Sequence, residues 1–155
     1  MEESIELHYT DTVHFELEQT AKLMRRLSIQ ILEKIGIDIS IDECAALDTI
    51  SCNSDICQRD LAKKILKDRA NTGRILNSLE EKGYVKRVVD TKNNRLVKKV
   101  KITDTGKKQL NEITSKIRNY IENVTHKIPR EDVRRIRDTL KNFRLDLEKV
   151  VEMKI

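Results

Sequence analysis

The stretch Glu80–Thr103, EEKGYVKRVVDTKNNRLVKKVKIT, changes character within a few residues. It opens as the end of a helix stopped by Gly83, and then becomes two runs rich in Val and Tyr. Tyr84 to Val89 and Leu96 to Ile102, with DTKNN between them, read as a β-hairpin with turn residues at its tip. Positive charge accumulates along it. From 82 to 101 there are eight basic residues (Lys82, Lys86, Arg87, Lys92, Arg95, Lys98, Lys99, Lys101) against the single acid Asp90. This local balance of +7 exceeds the formal +5 of the whole chain, so the remainder sums to −2. Charge gathered into one ribbon is the footprint of a polyanion partner. A lysine-rich edge strand that merely stays soluble is the bland alternative.

What precedes the ribbon narrows the choice. CQRDLAKKI supports a short helix from about 58 to 65. DRANTGRILNSLEEKG supports a longer one, capped by Asp68, burying Thr72, Ile75, Leu76 and Leu79, and ended by a left-handed Gly83. Two helices joined by a very short turn form a helix-turn-helix. Followed by a basic hairpin, they form a winged helix. The second helix fits the DNA major groove, and the hairpin reaches phosphates or the minor groove beside it. The face opposite the apolar stripe carries Arg69, Asn71, Gly73, Arg74 and Asn77. Arginine can bridge guanine acceptors and asparagine can pair with adenine. Gly73, without a side chain, would let the helix press against DNA. Lys92, Asn93, Arg95 and Lys98 are the wing candidates. Thr72 stands on two lists, as part of the buried stripe and as a candidate DNA contact.

The flanks are long helices. Val13, Leu17, Met24, Leu27, Ile31 and Ile35 form one apolar stripe ending at Gly36. SIDE, Ser40 to Glu43, is a capping-box signature opening a second helix with Leu47 and Ile50 inward. After the hairpin, Thr103 is the expected N-cap of a helix with the stripe Leu110, Ile113, Ile117, Ile121 and Val124. Pro129 can open a last helix carrying Val133, Ile136, Leu140, Phe143, Leu147 and Val150. These stripes are too long for the winged-helix core of one subunit to cover, so a second copy is expected to share them.

At this point the chain resembles the MarR family of bacterial transcriptional regulators. LAKKILKDRANTGRILNSLEEKGYVKRVVDTKNNRLVKKVKITDTG carries the likeness. DLAKKI at 60–65 is similar to the family's Leu-Ala helix, LEEKGYVKR to its entry into the wing, and KITDTG to its exit. The resemblance implies a mostly α fold with a small β-hairpin wing. A winged helix-turn-helix lobe at about 40–103 would be flanked by dimerisation helices at about 10–36 and 104–155, within a single domain of residues 1–155. It implies a homodimeric repressor of a palindromic site on double-stranded DNA, with Arg74 as the recognition-helix arginine. The family's Asp-x-Arg wing element is altered. Asn93 takes the acid's place if Arg95 is the arginine, and counting back from Thr103 shifts the frame by one, which points to a one-residue bulge. A small phenolic or aromatic effector is also implied, for which His14, Arg25 and Arg26 are the candidate contacts. Some relatives sense oxidants through thiols, and Cys52 with Cys57 is the candidate pair here; incidental thiols are the competing reading.

Other classes lack support. The chain has 3% aromatic residues, no Trp and 37% charged residues, a profile of a helical protein with an aliphatic core. The acidic start MEESIELH does not read as a leader, and no apolar run approaches membrane length, so a cytoplasmic protein is expected. Three cysteines and three scattered histidines show no metal-ligand spacing. No phosphate loop, nucleophile elbow or carboxylate pair suggests an enzyme or a cofactor. Two non-enzyme alternatives remain: an architectural DNA-binding protein without a preferred site, and a winged helix used for protein interaction.

Overall fold

The computed structural model describes residues 8–152; most of the acidic opening read above lies outside them. The chain divides into two compact units at Ile41/Asp42. In the first, a short 3-10 turn (Tyr9–Asp11) leads into α1 (Val13–Ile35). Thr12 caps α1 by accepting from the Phe15 backbone N–H, and Gly36 ends it in the left-handed region. Thus the helix starts and stops where local hydrogen bonding dictates.

The second unit contains α2 (Ile41–Ser51, entered from Ile41), α3 (Gln58–Lys64), α4 (Arg69–Glu81), β1 (Val85–Lys92), β2 (Arg95–Ile102), α5 (Asp104–Thr125) and α6 (Arg130–Val150). Its core is aliphatic. Ala46, Leu47 and Ile50 of α2, Leu61 and Ala62 of α3, Leu76 and Leu79 of α4, Val85 and Val100 of the hairpin, and Leu110 and Ile113 of α5 are all buried. Ile75, expected inside, is only half-buried. A partly buried ion pair ties α2 to the end of α4: Glu43, 6% exposed, receives Lys82 Nζ at 3.2 and 3.0 Å on its two oxygens. Lys82 therefore serves α2 rather than the basic ribbon.

Helices α3 and α4 end alike. At α4, Gly83 N donates to Glu80 O and Tyr84 N to Leu79 O, both at 2.9 Å, with Gly83 at φ +75°, a Schellman motif at the expected glycine. At α3, Leu66 N donates to Lys63 O and Lys67 N to Ala62 O, with Leu66 at φ +54°. A leucine thus occupies the left-handed position in the turn of the helix-turn-helix, at a local cost of about 1 kcal/mol.

The hairpin differs from its sequence reading. Pairing runs without interruption from Val85↔Ile102 to Lys92↔Arg95, so the expected bulge is absent. The strands consume most of DTKNN and leave a two-residue turn, Asn93–Asn94, with φ of 53° and 59°. Both angles are positive, as a type I′ turn requires, and asparagine tolerates them better than most residues. The root of the hairpin is anchored where Val100 N donates to Ile56 O at 3.0 Å.

Helix α5 starts against the same root. Thr103 Oγ1 accepts from Gly106 N at 3.0 Å and donates to Gly83 O at 2.6 Å. A Cβ on Gly106 would lie 2.1 Å from Tyr84 O, which explains the glycine of the KITDTG exit. Gly106→Ala is expected to destabilise the protein by about 3 kcal/mol or more, since backbone must move. A urea midpoint equal to that of the parent protein would refute this contact.

Candidate nucleic-acid interface

The solvent face of α4 is organised from its first turn. Asp68 caps the helix by accepting from Asn71 N at 2.7 Å through Oδ1. Its Oδ2 accepts from Asn71 Nδ2 at 2.7 Å. The Asn71 Oδ1 left over accepts from Arg74 at 3.2 Å. Hydrogen bonds from Asn71 hold the Asp68 carboxyl below the usual carboxylate range, helped by the charge of Arg74. The result is a relay along one helix edge, with Arg74 as its exposed end.

A second relay joins α4 to the wing. Glu80 Oε2 accepts from Arg87 N and from Arg87 Nε, each at 3.2 Å, and the same guanidinium donates to Asn77 Oδ1. Arg87 is the first residue of β1 to face α4 in this way, and it is ion-paired before any ligand arrives. Sequence reasoning counted Arg87 only as ribbon charge and passed over Asp68 and Glu80 as parts of the site. The spacing Asp68, Asn71, Arg74, three residues apart on a helix, was a usable signal for the first relay. The second had none.

Thr72 is fully buried and its hydroxyl donates to Asp68 O at 2.8 Å, which places it in the core stripe. A Cβ on Gly73 would meet Gln58 at 3.7 Å, an ordinary contact. Arg69, Arg74 and Asn77 are exposed, with Asn71 half-buried among its partners.

The register of the wing sorts its charge. Alternation along paired strands puts Lys86, Val88, Asp90, Lys92, Arg95, Val97, Lys99 and Lys101 on one face, and Arg87, Val89, Lys98 and Leu96 on the other. Asp90 binds Lys99 at 2.8 Å, which lowers the Asp90 carboxyl below its ordinary range and raises the Lys99 ammonium above its own. With Lys82, Arg87 and Lys99 paired, the charge that stays without a salt bridge among the described residues is Lys86, Lys92, Arg95, Lys98 and Lys101. Lys86 stands opposite Lys101, and Lys92 opposite Arg95. Like charges directly across a ladder destabilise a hairpin, and a bound polyanion removes that repulsion. Asn93 sits in the turn between Lys92 and Arg95, where its backbone angle gives it a conformational role.

The remaining candidates are dispersed. Arg25 lines a groove of about 480 Å³ with Ile29, Leu32, Glu33 and Ile37. His14 and Arg26 are not among the lining residues; His14 packs on Tyr9, ring centroids 5.7 Å apart. Cys52 is exposed and Cys57 half-buried, both as free thiols. Burial pushes the Cys44 thiol up to about 11, with the Glu43 charge adding to it, which leaves it a poor nucleophile at neutral pH. Among the described residues no cluster of three or more His, Cys, Asp or Glu could hold a metal, and no helix is long and apolar enough to cross a membrane.

The MarR family model matches residues 39–97, from the end of the first unit to the middle of β2. No curated protein matches the chain. Solved structures share the fold over nearly the whole chain. A MarR family transcriptional regulator from Rhodococcus sp. RHA1 is 20% identical with a TM-score of 0.78, covering 88% of this chain and 94% of that one. MepR of S. aureus, solved as a DNA complex, is 20% identical with a TM-score of 0.73, covering 90% and 99%. NadR, solved with 4-hydroxyphenylacetate, is 20% identical with a TM-score of 0.74, covering 88% and 95%. The winged helix of residues 39–97 thus matches the MarR family model, and the chain shares the winged-helix fold of solved MarR family regulators over most of its length.

Proposed function

We propose that this protein acts as a homodimer that occupies a pseudo-palindromic operator and represses transcription from it. The observation that carries the reading is the apolar stripe of α6. Val133, Ile136, Leu140, Phe143 and Leu147 are each 38–51% exposed, and Val150 is 76% exposed. They recur at alternating steps of three and four, the heptad seam by which helices pair. Tyr120, Ile121 and Val124 of α5 are exposed as well. A second copy is the occupant that fits a self-complementary stripe, and a two-fold axis would present two copies of α4 to one duplex. In this reading residues 40–103 address DNA, while 10–36 and 104–155 serve the dimer. Arg69 and Arg74 contact bases, Arg95 reaches the minor groove, and Lys92 and Lys98 supply phosphate contacts, with Asn93 shaping the tip.

Selection from randomised duplex DNA tests this directly. Enrichment of a two-fold symmetric motif is expected, with half-sites about one helical turn apart. Affinity for it should fall steeply with salt, each neutralised phosphate adding roughly 0.9 to the log–log slope. Retention with no enriched motif would favour the architectural alternative, and no retention a protein-interaction module.

Control by a small aromatic carboxylate is the regulatory part of the proposal. The groove beside Arg25 has apolar walls together with Glu33 and Asp38, so a ligand there would meet both signs of charge, and NadR is a fold relative solved with 4-hydroxyphenylacetate. Oxidation at Cys52 and Cys57 is the other route of control. An operator affinity that stays constant through a peroxide titration would remove it.

A further inference from the structure

The face of the wing that carries Arg87 is covered at its root and bare at its tip. Val85 and Val100 are buried in the core, and the Arg87 guanidinium lies against Glu80 and Asn77 of α4. Beyond Arg87 the same face continues outward through Val89 and Lys98 to Thr91 and Leu96. There Val89 is 66% exposed and Leu96 81%, and the register makes them diagonal neighbours across the ladder. On the opposite face the corresponding diagonal pair, Val88 and Val97, is half-buried. A lone exposed leucine calls for no explanation. Here two apolar side chains lie bare side by side in a ribbon whose other exposed members are all polar or charged, and Lys98 stands directly across from Val89.

We infer that Val89 and Leu96 form an apolar contact to DNA, packing on the deoxyribose rims of the strand that separates the two grooves. With α4 in the major groove and the tip of the hairpin in the adjacent minor groove, that sugar–phosphate strand passes between helix and wing. The wing face it meets is the one turned toward α4, because Arg87 ties that face to Glu80 and Asn77. A nucleic-acid backbone alternates phosphates with apolar sugar surface, so one lysine beside two aliphatic side chains is complementary to it. Lys98 takes a phosphate, while Val89 and Leu96 exclude water from the sugars. Lys92 and Arg95 lie on the other face and make the remaining contacts of the tip. A second copy of the ribbon is a poor occupant, since it would bring a local balance of +7 against an equal charge. The inference rests on the operator-binding reading above, and it adds an uncharged share of the wing's affinity at residues that a count of cations passes over.

The test is a set of anisotropy titrations over a salt series, on the duplex enriched by the selection above, with the full chain and its Leu96→Thr, Val89→Thr, Leu96→Met and Lys98→Gln variants. Threonine keeps the β-branching that a strand favours and replaces apolar surface with a hydroxyl. Leu96→Thr should weaken binding about tenfold at every salt concentration, the effect of part-burying one leucine in each of two wings. The slope of log affinity against log salt should stay as in the parent. Val89→Thr should act in the same way and less strongly, and Leu96→Met, still apolar, should bind like the parent. Lys98→Gln should instead make the slope shallower by about 1.8, roughly 0.9 for each of two lysines. A Leu96→Thr protein that binds like the parent would overturn the inference while leaving the operator reading intact. So would a loss that comes with a shallower slope, which would mean that Leu96 only holds the cations of the wing in place. A changed mass of Leu96→Thr in light scattering would also overturn it, by assigning the apolar pair to a contact between copies. A parent chain that enriches no motif at all would instead remove the operator reading, and this inference with it.

Discussion

Leu140→Asp is expected to make the protein monomeric and to reduce operator affinity by roughly 10²–10⁴-fold, the factor by which two linked half-site contacts exceed one. Leu140 is 40% exposed in the isolated chain and is not one of its buried core residues. A carboxylate at the centre of a heptad seam would have to be desolvated twice at a two-fold interface, without a partner charge at that position. Light scattering should show the mass falling from twice the 18.1 kDa chain to that of one chain. The winged lobe, whose core lies in α2 to α5, should keep its fold and its weak, salt-sensitive affinity for any DNA. A variant that remains dimeric would show that the stripe of α6 is covered by something other than a second copy.

Arg74→Ala should remove base discrimination with little loss of general DNA affinity. One bidentate arginine–guanine contact contributes about 1–3 kcal/mol. A symmetric operator uses two of them, so specific affinity should fall by about 2–6 kcal/mol if the half-sites act independently. Binding to unrelated duplex at the same salt should change only a few-fold, because it depends on the summed phosphate contacts. Asn71→Ala leaves the arginine in place and frees it to rotate, so its loss should be smaller than that of Arg74→Ala. Fluorescence anisotropy with the selected operator and a scrambled duplex measures both. An Arg74→Ala protein that loses affinity equally on the two duplexes would reassign Arg74 to a phosphate.

Most of the architecture could be read from local signals. Asp68 caps α4, Thr103 caps α5, and Gly36 and Gly83 end α1 and α4, because a cap is decided by groups within four residues of one another. The hairpin was visible from its Val-rich runs, but its turn was not. DTKNN suits a long loop as well as two strand ends and a tight turn, and only cross-strand pairing chooses between them. Leu66 in a left-handed turn was hidden for a related reason, since its own propensity opposes the angle that packing α3 on α4 imposes.

Composition and spacing by themselves determined the element order, the winged-helix layout and the concentration of charge at 82–101. Only the tertiary structure decided which of those charges remain to meet a ligand. Lys82 is drawn inward by Glu43, 39 residues away in sequence, Lys99 is held by Asp90, and Arg87 is held by Glu80. A formal charge belongs to a residue type and is countable along a chain, whereas its pairing depends on which carboxylates the fold brings within 4 Å. The same is true of Asn71 and Asn77, whose amide donors and acceptors are known from the sequence but are allotted to partners only by the folded structure.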